Sequence, residues 1–193
     1  MNAGKKTAVE PIRDLKDIKT IKKILKDKPR DLAIFTLGIN TNLRAIDIIN
    51  VRVSQVYDAD NEMVMDELVL TESKTGKKRR ISLNPQVKEV LEDLILSQSC
   101  SQDDYLFRSR KKNGPLTSTS LSRLVKSWCN AVNLKGNYAS HSLRKTWGYH
   151  QRVQFGTSIP ILMECFNHST QRQTLDYLCI QPEEIKDVYM NEL

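Results

Sequence analysis

The sequence predicts a mainly α-helical domain that carries a small antiparallel β-sheet early in the chain. Three observations support this fold class. Apolar residues recur at helical spacing through most of the chain. One short stretch changes to β-prone runs on either side of a Thr-Gly turn. Apolar residues make up 39% of the 193 residues, which is enough to bury one core at this length.

Three helices are expected before the sheet. The first carries apolar residues at near-helical spacing between lysines, namely Ile12, Leu15, Ile18 and Leu25. Pro29 should end this helix, and a second should start at Asp31, an N-cap type of residue, and break near Gly38. Thr41 is the expected N-cap of a third helix, which places Arg44 on its first turn. A cation there is unfavourable for the helix dipole unless an anion binds, so this position favours a phosphate site.

The pattern then changes period. Residues 68–71 and 80–83 are β-prone runs around a Ser-Lys-Thr-Gly-Lys turn, which predicts a hairpin. Asn84 and Pro85 have the residue types of an N-cap and a first helical turn, so a fourth helix should follow. A basic loop over residues 108–115 leads to a fifth helix. Its apolar stripe consists of Leu121, Leu124, Val125, Trp128 and Val132.

The next helix brings two functional residue types together. Ser140 is its expected N-cap, and His141 and Arg144 follow three residues apart, on one face of the helix. A short apolar helix over residues 161–166 should then end at Asn167, a residue type that tolerates positive φ.

A last predicted helix begins at Ser169 or Thr170 and carries Tyr177. A terminal segment follows from Pro182 and places apolar residues, including Tyr189, along one side. At the other end of the chain, residues 1–10 are expected to be a flexible lead-in.

The charge balance points to a polyanionic partner. Lysine and arginine number 30 and aspartate and glutamate 23, which gives a net charge of +7. No apolar run approaches the ~18 residues typical of a membrane span, and the N-terminus lacks the apolar region of a secretory signal. Nucleic acid is therefore favoured over a membrane surface.

Two basic loops account for much of this charge. The expected DNA-backbone contacts in them are Lys77, Lys78, Arg79, Arg80, Arg110, Lys111 and Lys112. Contacts of this kind gain free energy by counterion release. A solvated, solubilising surface is the alternative for either loop alone, whereas the two together favour phosphate contact.

Motifs for nucleotide hydrolysis and metal binding are absent from the sequence. It contains no phosphate-binding Gly loop, no His-Glu-x-x-His and no Cys-x-x-Cys. Cys165 and His168 have a metal-like spacing, but no second pair completes a site of about four ligands. The four cysteines are scattered without paired spacing, which favours reduced thiols in a cytosolic protein. We therefore expect neither a metal nor another cofactor.

Six residues form a set with a common chemistry. They are Arg44, Lys74, His141, Arg144, His168 and Tyr177. Arginines can grip non-bridging phosphate oxygens and stabilise the charge that develops during transfer. A tyrosine can attack phosphorus covalently, and a lysine or histidine can supply a proton to the leaving alkoxide. The set is what metal-free phosphodiester transfer needs.

In identity, order and approximate spacing, this set resembles the signature of the tyrosine recombinase (phage integrase) family. The resemblance covers residues 11–189, the extent of that family's catalytic domain. Three local contexts agree: an Asn-Leu-Arg turn where the family often has Gly-Leu-Arg, a hairpin around Lys74, and Asn-His-Ser where the family has Gly-His-Ser. Asn167 in the last of these is a departure from the family pattern.

The resemblance implies roles for the central residues. Tyr177 would be the nucleophile that forms a 3′-phosphotyrosine link to DNA, and Arg44 and Arg144 would clamp the scissile phosphate. A 5′-hydroxyl of a partner strand would then attack the phosphotyrosine. The bond energy is conserved in this scheme, so neither ATP nor a metal is required.

The resemblance also assigns the supporting residues. Lys74 would protonate the leaving 5′-hydroxyl, and His141 would assist proton transfer by taking the tyrosine proton. His168 would hydrogen-bond a phosphate oxygen. Asp47 would brace the site without touching the substrate.

Simpler interpretations exist for several of these residues. Tyr177 has the setting of a half-buried core tyrosine, and Tyr189 is a competing nucleophile that lacks the nine-residue spacing from a histidine. Arg44 and Asp47 have the spacing of a helical ion pair worth ~0.2–0.5 kcal/mol. Lys74 has the setting of an ordinary turn residue.

The expected domain is a tyrosine recombinase catalytic domain over residues 11–193, in a cytoplasmic, nucleoid-associated protein encoded by a bacterium or phage. The family's N-terminal core-binding domain has no room before Pro11, so the chain is either a fragment or a minimal recombinase. The expected partners are double-stranded DNA and further copies in a tetramer on DNA, with residues 185–193 packing on a neighbour. The isolated domain is expected to be a monomer.

Two alternative functions stay open. A type IB topoisomerase uses similar residues to relax DNA. A non-catalytic DNA-binding module would keep the fold as a scaffold.

Overall fold

The computed structural model describes residues 8–73, 76–109 and 114–179. Within these ranges the chain forms eight α-helices and four short strands. In chain order they are α1 (Leu15–Leu25), α2 (Pro29–Asn40), α3 (Ala45–Ile49), β1 (Tyr57–Asp58), β2 (Met63–Val64), β3 (Glu67–Thr71), β4 (Lys78–Ser82), α4 (Pro85–Leu96), α5 (Ser118–Ala131), α6 (Ser140–Val153), α7 (Ile159–Phe166) and α8 (Gln171–Leu178). The predicted class, mainly α with a small antiparallel sheet, is confirmed.

The predicted hairpin is present and pairs β3 with β4. Its register runs from Glu67 opposite Ser82 to Thr71 opposite Lys78. A second antiparallel pair, β1 with β2, was not predicted. Each of those strands has two residues, too few to produce a detectable alternation of apolar and polar side chains.

The sequence predicted which segments are helical better than it predicted the residue at which each helix begins. Pro29 does not close the first helix but is the first residue of α2, a position that suits its fixed φ. Asp31 lies in the first turn of α2 rather than at its cap. Thr41 is likewise not an N-cap, because its hydroxyl donates a hydrogen bond of 2.6 Å back to the carbonyl of Leu37. α3 therefore begins at Ala45, and Arg44 is its N-cap residue.

Three other helix ends agree with the sequence, and one does not. The side chain of Asn84 accepts a hydrogen bond from the backbone N–H of Val87 at 3.0 Å and caps α4. Thr170 caps α8 in the same way. Asn167 ends α7 with φ 55° and ψ 49°, the left-handed conformation expected for it. Ser140 is the first residue of α6 rather than its cap.

Most of the helices surround one large core. Phe35 on α2 is fully buried and meets Trp128 edge-on, with 5.9 Å between ring centroids. Gly38 allows α2 and α6 to approach closely, because a Cβ on it would lie 2.7 Å from Leu143 Cδ1. This close approach brings the end of α2, just before Arg44, against the helix that carries Arg144.

A smaller apolar cluster lies beneath α7 and α8. Its buried members are Leu162, Phe166 and Leu178, with Trp147, Ile159 and Tyr177 packed against them. Before α1, the backbone N–H of Ile12 donates to Thr146 Oγ1 at 2.8 Å and so joins the chain's start to α6. No helix in the described part of the chain is both long and apolar enough to cross a bilayer.

Candidate active site

An open cavity of about 510 Å³ is lined by residues of α6, α7 and α8, by the loop after α7 and by the N-cap residue of α3. Five of the six predicted catalytic residues line it. The full lining is Arg44, His141, Arg144, Phe166, Asn167, His168, Gln173 and Tyr177. The sixth residue, Lys74, lies outside the described residues. Side chains from three separate parts of the sequence therefore meet at one place.

Arg44 is held by a carboxylate that the sequence did not indicate. Its Nη1 lies 2.8 Å from Glu72 Oε2 and 4.0 Å from Asp47 Oδ2. Glu72 is 4% exposed and also pairs with Arg79, whose Nη1 is 2.8 Å from Oε1. The helical Arg44–Asp47 pair suggested by the spacing is thus the weaker of the two contacts.

Asp47 connects α3 to the hairpin turn. Its Oδ1 accepts a hydrogen bond of 2.9 Å from the backbone N–H of Ser73, the residue before Lys74. Asp47 as a residue is 4% exposed, so this contact is protected from water. Such a bond restrains the turn relative to Arg44, which is the geometry that a bracing residue requires.

Arg144 is buried and bound on one edge of its guanidinium group. Nε donates to Asn42 Oδ1 at 2.8 Å, and Nη2 donates to the carbonyl of Phe166 at 3.3 Å. The guanidinium carbon lies 5.2 Å from the centroid of the Phe166 ring. Burial lowers the pKa of Arg144 to about 10. Because this value is still well above 7, the group stays cationic at neutral pH.

The two histidines occupy different positions in the cavity. His141, on the first turn of α6, lines the cavity and has part of its surface open to solvent, whereas His168 is partly buried with its Nδ1 3.0 Å from Thr174 Oγ1. Desolvation lowers the pKa of His141, and the positive charges of Arg144, Lys145 and Arg44 act in the same direction. The pKa of His168 is lowered by desolvation and by the two arginines. Both rings are therefore neutral at pH 7, and each keeps one nitrogen as an acceptor.

Tyr177 packs and lines the cavity at the same time. Its ring lies 4.9 Å from that of Phe166 and 5.3 Å from that of His168, and Lys145 Nζ is 5.0 Å from its centroid. Burial raises the pKa of Tyr177, which the charges of Arg144 and Arg44 partly oppose. The competing Tyr189 lies outside the described residues.

The basic hairpin residues divide into two groups. Lys77, Lys78 and Arg80 are exposed, as a contact surface for DNA requires. Arg79 instead points inward, where its Nη1 meets the buried Glu72 and the backbone carbonyl of Asn42. Arg79, which was also predicted to contact the DNA backbone, lies on the opposite face of β4 from Lys78 and Arg80, because side chains alternate along a strand. Arg110, Lys111 and Lys112 lie outside the described residues.

Sequence reasoning missed three residues of the site. Asn42 and Glu72 contact the arginines, and Gln173 lines the cavity. The contacts of Asn42 and Glu72 depend on how the hairpin and α6 pack, which no local pattern encodes. Gln173 lies one helical turn before Tyr177 on α8, so helical spacing was the available signal for it.

Comparisons with known proteins agree with the geometry. The sequence matches the phage integrase family over residues 13–184. It is 34% identical over 184 residues to the probable integrase/recombinase YoeC of Bacillus subtilis (strain 168), covering 94% of this chain and 95% of that protein. It is 29% identical over 155 residues to a tyrosine recombinase of Pseudothermotoga lettingae, covering 80% of this chain and 51% of that protein.

The fold is also similar to solved structures. XerA recombinase superposes with a TM-score of 0.74 at 19% identity, over 95% of this chain and 65% of XerA. XerH recombinase bound to a palindromic difH substrate gives a TM-score of 0.73 at 17% identity, over 97% of this chain and 53% of XerH. This chain thus spans about half to two thirds of the length of several relatives, whereas it spans nearly all of YoeC. This chain belongs to the phage integrase family of tyrosine recombinase enzymes.

Proposed function

We propose that this chain is the catalytic domain of a site-specific DNA recombinase that works through a covalent 3′-phosphotyrosine intermediate. The observation that carries the proposal is the convergence of two arginines, two histidines and Tyr177 on one cavity of about 510 Å³. A single phosphodiester placed there would be within reach of all five side chains.

The arginines would provide the binding energy for the phosphate. Both are desolvated, with Arg44 14% exposed at its side chain and Arg144 5% exposed as a residue. Charge–charge interactions are stronger in such surroundings than in water. Arg44 Nη1 is buried against Glu72 Oε2 at 2.8 Å, a contact that fixes the guanidinium group at the edge of the cavity.

The histidines and the tyrosine have complementary pKa shifts. The raised pKa of Tyr177 keeps its phenol protonated at neutral pH, so attack on phosphorus needs a base. The lowered pKa of His141 leaves its ring neutral and able to accept that proton. His168, restrained by Thr174, would donate to a non-bridging oxygen.

The reaction then balances without a metal. The Tyr177 oxygen forms a bond to phosphorus, the bond from phosphorus to the 5′-oxygen breaks, and the phenol proton passes to His141. Lys74 donates a proton to the leaving 5′-oxygen, with the turn before it restrained by Asp47 through Ser73. Attack by a 5′-hydroxyl of a second strand reverses these steps and joins the new partners.

The proposed function also includes binding to duplex DNA and assembly of several copies on it. The exposed Lys77, Lys78 and Arg80 flank the hairpin turn and would contact the DNA backbone. The XerH structure contains a bound palindromic difH substrate, and a lambda integrase dimer structure contains a bound core site. We propose that four copies assemble around two duplexes; residues 185–193, which are expected to contact a neighbouring copy, lie outside the described residues.

Covalent capture tests the reaction. The protein is incubated with a pool of nicked duplexes whose sequence is randomised around the scissile phosphate, and adducts are resolved by denaturing electrophoresis. We expect an adduct from the unaltered protein and from Tyr189→Phe, and none from Tyr177→Phe. Chelation of divalent metals should leave the yield unchanged. Absence of any adduct from the unaltered protein, or an adduct that persists in Tyr177→Phe, would overturn the proposal.

A further inference from the structure

Asn42 lies two residues before Arg44 and contacts the other arginine of the cavity. Asn42 as a residue is 4% exposed. Oδ1 accepts the hydrogen bond of 2.8 Å from Arg144 Nε, and Nδ2 donates to the backbone carbonyl of Cys165 at the end of α7. One buried carboxamide therefore joins α6 to α7 from the loop between α2 and α3.

These contacts define which way the Arg144 guanidinium faces. Nε and Nη2 share one edge of the planar group, and that edge is used by Asn42 Oδ1 and the Phe166 carbonyl. Among the described residues, the Nη1–Nη2 edge retains donors for a ligand in the cavity. A phosphate is best bound by two parallel N–H donors from one edge, so the plane of the group decides whether such binding is possible.

Hydrogen bonding also determines the orientation of the Asn42 carboxamide. An amide offers an oxygen that accepts and a nitrogen that donates. Arg144 is a donor and the Cys165 carbonyl is an acceptor, so only one orientation of the carboxamide satisfies both. An alanine at this position would leave the buried Nε–H without its partner and would free the guanidinium to rotate.

We propose that Asn42 is a positioning residue that orients Arg144 for the scissile phosphate. The proposal rests on the proposed function, since the phosphate is the ligand it invokes. Asn42 does not itself reach the substrate; it acts by holding the Nε–Nη2 edge of Arg144 so that the other edge meets the phosphate oxygens.

The first test compares Asn42→Ala with Asn40→Ala. Asn40 also makes two side-chain hydrogen bonds, to Thr36 and Asn84, but neither partner is in the cavity. On a nicked duplex selected by covalent capture, we expect the initial rate of adduct formation to fall by about tenfold or more in Asn42→Ala, because small misplacements of a catalytic group are costly. Asn40→Ala should react close to the unaltered rate.

A second substrate separates positioning from general damage. The same duplex carries a methylphosphonate at the scissile position, which replaces a charged oxygen by a methyl group. The orientation of a cation matters less for a neutral linkage, so the defect of Asn42→Ala should shrink on this substrate. Equal defects on both linkages would indicate structural damage and would overturn the inference, as would an Asn42→Ala rate equal to the unaltered one.

A third variant addresses folding. Asn42→Asp keeps an oxygen for Arg144 Nε and loses the donor to Cys165, and thermal denaturation checks each variant. We expect Asn42→Asp to react faster than Asn42→Ala on the phosphate duplex. If the unaltered protein forms no adduct on either linkage, the proposed function fails rather than this inference.

Discussion

The two halves of the cavity differ in how many buried apolar side chains support them. We call α2, α3 and α6 the clamp region, because they carry or adjoin Arg44, His141 and Arg144, and α7 and α8 the tyrosine region, because they carry His168 and Tyr177. The clamp region is part of the large core, where Leu43 and Leu143 beside the arginines are fully buried. The tyrosine region has three buried apolar side chains of its own.

Polar contacts add a few further anchors to the tyrosine region. Lys145 Nζ lies 3.1 Å from Cys179 Sγ, and Arg13 Nη2 donates to the Cys179 carbonyl at 2.9 Å. Segments with few buried contacts open at lower free energy than the core around them. We therefore expect the phosphate-binding side of the site to be rigid and the nucleophile to lie on an element that opens locally.

The largest expected difference is between Phe35→Ala and Phe166→Ala. Phe35 lies in the large core, so its removal should lower the global free energy of unfolding by ~3–5 kcal/mol. Phe166 supports Trp147, His168 and Tyr177. Its removal should loosen α7 and α8 and abolish adduct formation, with a smaller loss of global stability. Urea denaturation and the adduct assay measure the two effects.

Equal losses of global stability in the two variants would show that the clamp region and the tyrosine region do not unfold separately. If Phe166→Ala shifts the urea midpoint as far as Phe35→Ala does, the molecule unfolds as one cooperative unit. Hydrogen exchange of the α8 amides provides an independent measurement, since local opening accelerates it without global unfolding.

A matched pair of glycines makes the same comparison with smaller changes. A Cβ at Gly38 would lie 2.7 Å from Leu143 Cδ1, and one at Gly148 would lie 2.4 Å from Phe166 Cζ. Overpacking costs ~1–3 kcal/mol, partly offset by the higher helix propensity of alanine, ~1 kcal/mol. Gly38→Ala should lower global stability. Gly148→Ala should displace Phe166 and slow adduct formation while the urea midpoint changes little.

The two histidines allow a test by pH, one in each region. The pKa of each is lowered from 6.5 in the folded protein, so below that value the unfolded chain binds more protons. This contribution to stability is present above pH 6.5 and is lost as the pH falls. The urea midpoint of the DNA-free protein should therefore decrease on acidification, and less steeply in the double variant His141→Gln/His168→Gln. An unchanged slope in that variant would contradict the assignment.

Local patterns predicted the elements and the identity of the cavity residues better than they predicted contacts. The hairpin, the Asn84 cap and the left-handed Asn167 follow from short-range chemistry and are confirmed. The start of α3 was predicted three residues too early, because the Thr41 hydroxyl bonds backward to Leu37 instead of forward into α3. The bond between Asn42 and Arg144 spans 102 residues of sequence, so it depends on the packing of α2 against α6 and has no local signal.

The smallest expected effect comes from two asparagines with left-handed backbones. Asn133 follows α5 with φ 59°, and Asn167 follows α7 with φ 55°. Replacing either by glycine removes the steric cost of that conformation and should stabilise by less than ~1 kcal/mol. Because Asn133 adjoins the large core, Asn133→Gly should raise the urea midpoint. Asn167→Gly should instead slow hydrogen exchange in α8 with little change in the midpoint, and equal midpoint shifts in the two variants would show that the tyrosine region does not open on its own.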